Sequence, residues 1–138
     1  MGRSIAGLVV GVLAGFAAML VVAWLGGLFY PIPVDPQIPD PVRRVAEAFP
    51  AAPLGAKLFV AASWFAGGFA GGAVGRWLSG SRGIALAAGA VLSLAAIANA
   101  FVLPLPAWMQ IAAVVLPLAG GIVANHLPAG RAERRTAG

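Results

Sequence analysis

Long runs of apolar residues alternate with short polar or proline-rich segments along the chain. The four longest runs cover residues 5–30, 58–77, 84–103 and 111–127. A helix needs about 20 mostly apolar residues to cross a bilayer, so each run predicts one transmembrane helix. The first run is too long for a signal peptide, and we expect it to be retained. The pattern predicts an all-α fold: a transmembrane four-helix bundle forming a single membrane domain over residues 1–138.

The segment at residues 31–56 interrupts this pattern with seven prolines. Its first part should be extended, because each proline disfavours helix in the residue before it. Asp40-Pro41 then has the form of a helix start, with aspartate as the N-cap and proline in the first turn. Val42 and Val45 follow at helical spacing, with charged residues between and after them. We expect a short amphipathic helix at the membrane surface, in the first outer loop.

Composition supports the membrane assignment. Hydrophobic residues make up 61% of the chain and charged residues 9%, against about 25% charged in soluble domains. The expected partners are therefore the lipid bilayer and other membrane helices. The net charge is +5, but the basic residues lie at the ends of the spans, which favours a role in topology over nucleic-acid binding. Cysteine is absent, so disulfides and thiolate metal sites are excluded.

The basic residues also predict an orientation. Four spans place the N-terminus, the turn at 78–83 and the tail at 128–138 on one side, with six basic residues including Arg76 and Arg82. The loop at 31–56 and the start of the second span carry three on the other side. Short loops rich in Lys and Arg stay in the cytoplasm. We expect an inner (plasma) membrane protein with both termini cytoplasmic.

Glycines recur at four-residue intervals in two of the spans. The set consists of Gly7, Gly11, Gly15, Gly67, Gly71 and Gly75. On a helix this spacing leaves bare backbone along one face, which lets a neighbouring helix approach closely. The pattern predicts a glycine zipper in which the first run packs against the second.

Few side chains in the spans could carry chemistry. Arg76 stands at the end of the second span, and the other spans contain no charged residue. Ion-coupled transporters need an ionisable residue on the ion path, so this pattern disfavours them. The possible intramembrane polar contacts are Ser93, Asn99, Asn125 and His126. They could form interhelical hydrogen bonds or line a pore. We expect no catalytic, metal or cofactor site, because the one histidine has no carboxylate or second ligand nearby in the sequence.

The order of these features resembles that of small bacterial four-span integral membrane proteins of uncharacterised function. The features are Tyr30-Pro31 after the first span, Trp64 before the glycines of the second, and Pro106-Ala107-Trp108 before the fourth. The resemblance implies an architecture and no activity. The leading hypothesis is a non-enzymatic protein that acts through helix packing, by self-association or as an accessory subunit of a membrane complex. The alternatives are a small channel or transporter and, less favoured, a membrane-embedded enzyme.

Overall fold

A computed structural model describes residues 1–128, and within them every regular element is a helix. The α-helices are α1 (Gly2–Phe29), α2 (Pro41–Ala48), α3 (Leu54–Ser79), α4 (Arg82–Val102) and α5 (Ala107–Ala124). A 3₁₀ turn, Phe49–Ala51, follows α2. Helices α1, α3, α4 and α5 are long and apolar enough to cross a membrane. The predicted fold class is confirmed: an all-helical bundle of four membrane-length helices, with a short helix in its first loop. The predicted tail falls almost wholly outside the described residues.

Helix α3 lies at the centre of the bundle. It packs against α1, α4 and α5, while α4 also packs against α5 and α1. The axis of the bundle is filled by large side chains, among them Trp64, Leu92 and Met109, which are 2%, 0% and 0% exposed. Tryptophan is enriched at membrane interfaces. Trp64 instead belongs to the buried core cluster, together with Leu92 and Met109.

The helices extend beyond several of the predicted spans. Helix α1 begins at Gly2, three residues before the predicted span, and α3 begins at Leu54, four residues before it. A charged residue such as Lys57 marks a membrane boundary but does not end a helix, whereas proline does. Pro53 and Pro106 are accordingly the N-caps of α3 and α5. The loop therefore ends at Pro53 instead of residue 56.

The last helix both begins and ends earlier in the chain than its predicted span. Helix α5 runs from Ala107 to Ala124, whereas the predicted span covered 111–127. The backbone after Ala124 forms a turn in which the amides of Asn125 and His126 bond to carbonyls three and four residues back. Asn125 therefore caps the helix, and His126 lies outside it.

Helix α2 begins as the sequence predicts. Asp40 is its N-cap, and its Oδ1 accepts a hydrogen bond of 3.0 Å from the amide of Val42. Arg44 donates two hydrogen bonds back to the carbonyl of Ile38, which fixes the extended segment against the helix. The 3₁₀ turn then inserts Phe49 into the core, where it is 1% exposed. The loop is thus folded onto one end of the bundle.

Candidate functional site

The two glycine runs of α1 and α3 lie against each other in antiparallel register. A Cβ placed on Gly7 would lie 2.9 Å from the carbonyl oxygen of Gly75, and one on Gly11 would lie 3.0 Å from the Cα of the same residue. At the other end of the contact, a Cβ on Gly15 would lie 2.8 Å from the carbonyl oxygen of Gly67. Real Cβ atoms do not approach backbone this closely, so any side chain here would force the helices apart.

A second glycine contact, which the sequence pattern did not predict, joins α3 and α4 to α5. A Cβ on Gly72 would lie 3.2 Å from the Cα of Gly121, and a Cβ on Gly121 would lie 3.4 Å from the Cα of Gly89. Gly68 faces the carbonyl of Pro117 in the same contact. The signal was present in the sequence as doubled glycines at 67–68, 71–72 and 120–121. Adjacent residues on a helix point about 100° apart, so each pair in α3 serves two neighbours.

Arg76 is the residue whose placement differs most from its predicted role. The sequence suggested an arginine at the membrane interface, but the residue is 5% exposed. Its Nη1 donates to the backbone carbonyl of Asn125. Its Nε and the Oδ1 of Asn125 are both buried and have no hydrogen-bond partner among the described residues. Leaving a buried donor without a partner costs about 1–3 kcal/mol, and more for a charged group. The Nε of Arg76 and the Oδ1 of Asn125 therefore identify this end of the bundle as a candidate binding site.

A cavity of about 630 Å³ adjoins this arginine. Arg76, Arg82, Asn125 and His126 line it together with apolar side chains that include Leu86 and Ile122. Arg82 is the first residue of α4, and Asn125 and His126 follow the end of α5. The cavity therefore lies where the cytoplasmic ends of three helices are expected.

Within residues 1–128, no carboxylate lies in α1, α3, α4 or α5. The acidic residues there are Asp35, Asp40 and Glu47, all in the segment between α1 and α3. Glu133, the remaining acidic residue, lies outside the described residues. Arg76 lies 22 residues after the first residue of α3, about 33 Å along a helix that rises 1.5 Å per residue. Glu47 instead pairs with Arg43 at 2.6 Å, the only ion pair among residues 1–128.

The four predicted polar residues occupy three separate places. Ser93 donates a hydrogen bond of 3.1 Å to the carbonyl of Val114 and so joins α4 to α5. Asn99 is exposed at the opposite end of the bundle from Arg76, where it lines a cavity of about 320 Å³ beside Val42 and Val45 of α2. Asn125 and His126 meet at the arginine cavity. Arg76 and Arg82, which the sequence assigned to topology alone, complete that group.

No protein-family model, curated protein or solved structure matches this chain.

Proposed function

We propose that this chain is a non-enzymatic integral protein of the inner (plasma) membrane that acts through close helix packing. It works as a homo-oligomer or as an accessory subunit of a membrane complex, with both termini in the cytoplasm. The observation that carries the proposal is the large apolar face that α1 exposes while the glycines of α1 and α3 pack against each other within the chain. The term glycine zipper describes the contact formed by Gly7, Gly11, Gly15, Gly67, Gly71 and Gly75.

In this packing, the glycine faces of α1 and α3 contact each other within one chain, so they are not available to a second chain. The outward face of α1 then presents large apolar side chains, of which Leu13, Leu20 and Trp24 are 62%, 70% and 64% exposed. A rigid bundle with one helix at its edge offers such a face to lipid or to a neighbouring membrane helix. Van der Waals packing drives helix association in lipid, where burial against water contributes little.

The mass of the assembly tests the proposal. The full chain is extracted in a mild nonionic detergent, and its mass is measured by light scattering and native mass spectrometry. We expect a multiple of the 13.8 kDa chain mass, or the chain with a second membrane protein in fixed ratio. A solitary 13.8 kDa chain, both in detergent and in polymer-extracted native membrane discs, would contradict it.

A small channel or transporter is the second candidate, and the cavities at the two ends of the bundle favour it. One contains Arg76 and the other Asn99. The buried Trp64, Leu92 and Met109 stand between these ends, so passage requires them to move. Purified protein in liposomes would show flux that Asn99→Leu changes. Flux equal to that of empty liposomes, over a panel of ions and small solutes, counts against this candidate.

A further inference from the structure

We propose that the arginine cavity, the 630 Å³ space beside Arg76, binds a phosphate group, supplied by an anionic phospholipid head group or by free phosphate. The proposal starts from charge. Arginine stays protonated in proteins, and a buried cation without an anion is strongly unfavourable. Nothing in the membrane helices supplies a carboxylate, and Arg76 bonds only to a neutral carbonyl among the described residues. Among residues 1–128, the buried guanidinium of Arg76 therefore has no anionic partner.

The donors at the cavity fit phosphate better than a smaller anion. A guanidinium is planar and presents parallel N–H groups that match two phosphate oxygens. Arg76 is held by its bond to the end of α5, so its orientation is fixed before a ligand arrives. Arg82 and His126 line the same cavity and are exposed, which leaves their donors available. Arg82 also opens α4, and the N-terminus of a helix favours a negative charge.

The walls of the cavity point to an amphiphile as one source of the phosphate. Leu86 and Ile122 line it beside the charged residues, and both side chains are exposed on the outer surface of the bundle. A phospholipid whose head group occupies the cavity could extend its acyl chains along these two residues. Basic pockets between transmembrane helices on the cytoplasmic side are suited to anionic head groups.

Lipid retention tests the proposal directly. The full chain is purified in uncharged detergent and then given phosphatidylglycerol or phosphatidylcholine, and bound lipid is measured by native mass spectrometry. In a separate arm, inorganic phosphate is titrated in lipid-free detergent at constant ionic strength, with chloride as the control anion, and bound phosphate is measured by equilibrium dialysis. We expect wild type to prefer phosphatidylglycerol, or phosphate over chloride, by about tenfold or more. The arm that responds identifies the source.

Matched variants separate the site from general surface charge. Arg76→Gln should lower the affinity about tenfold or more, since it removes a charged hydrogen-bonding partner. Arg82→Gln should lower it by a smaller factor, because Arg82 is exposed. Arg3→Gln makes the same charge change at an exposed residue of α1 and should leave binding unchanged. If Arg76→Gln fails to fold, Arg82→Gln and His126→Ala still report on the cavity.

Two results would overturn the proposal. In the first, wild type shows no preference in either arm while Arg76→Gln only lowers the melting temperature; Arg76 would then simply cap α5. In the second, phosphate binds to the Glu133→Gln variant but not to wild type; the carboxylate of Glu133 would then be the partner of Arg76. Neither result bears on the oligomeric mass, so this proposal and the proposed function can fail separately.

Discussion

At the scale of single residues, the absence of a side chain can be the structural requirement. Gly71 shows this, because a Cβ there would lie 2.9 Å from both the carbonyl oxygen of Gly11 and the Cδ1 of Leu92. The leucine end could move, but the backbone of α1 cannot move without opening the whole contact. In water an interior glycine costs about 1 kcal/mol against alanine. In this bundle that cost is offset by packing that no other residue permits.

We predict that Gly71→Leu destabilises the bundle by about 3 kcal/mol or more, since an added side chain in a packed contact forces strain. The measurement is the melting temperature in detergent together with the amount of protein in the membrane. Gly27→Leu is the matched control, because a Cβ at Gly27 meets nothing within 4 Å. Equal stability of the two variants would show that the α1–α3 contact is looser than described.

At the scale of elements, α2 depends on its cap because it is only eight residues long. Helices this short are marginal in water without tertiary support or capping. We predict that Asp40→Ala, which removes about 1 kcal/mol of capping, speeds hydrogen exchange in α2 about fivefold.

Asp35→Ala is the control for that experiment. Asp35 also accepts a backbone hydrogen bond, 2.9 Å from the amide of Gln37, but it lies outside the helix. It should leave exchange in α2 unchanged, while Asp40→Asn should preserve most of the protection. Unchanged exchange in Asp40→Ala would mean that Phe49 and the bundle hold α2 without its cap.

The elements also show what could be predicted from the sequence. Apolar runs of membrane length identified four helices, and Asp40-Pro41 identified the fifth, since both signals are local. The predicted helix ends differ from the observed ones by one to four residues. In α3 the difference arises because the charged Lys57, and not Pro53, was taken as the boundary. Gly68, Gly72 and Gly121 were missed because their role depends on which helices become neighbours.

The arginine cavity was hidden from the sequence for a similar reason. Arg76, Arg82 and Asn125 are separated by up to 49 residues, and each has an ordinary role at the end of a span. Only the packing of α3 against α5 buries Arg76 and places it beside Asn125. Trp64 shows the same limit for a core residue. The local sequence around a tryptophan does not distinguish a position in the core from one at the membrane interface.

At the scale of the whole molecule, the distribution of charge should fix the orientation. Six basic residues on the side of both termini, against three on the side of the first loop, favour cytoplasmic termini. The chain contains no cysteine, so any introduced cysteine is a unique label.

We predict that a membrane-impermeant maleimide labels Gln37→Cys in intact spheroplasts and labels Gly83→Cys only after permeabilisation. Both positions are exposed in the structure, so accessibility to water should depend on the membrane side alone. The unsubstituted chain is the control for background labelling. The reverse pattern would contradict the proposed topology.

The glycine contact between α1 and α3 has a consequence for biogenesis. A loop of 24 residues, 30–53, separates these helices, whereas α3, α4 and α5 follow one another through short turns. During synthesis α1 enters the lipid before α3 has been made. The glycine face of α1 (Gly7, Gly11 and Gly15) therefore stays exposed to lipid until α3 is inserted. During that interval, the glycine face of α1 can bind a helix of another protein. If the contact needs only the glycine face of a complete α3, a chain divided between Asp35 and Pro36 should reassemble when both pieces are co-expressed. Copurification of the two pieces would show this.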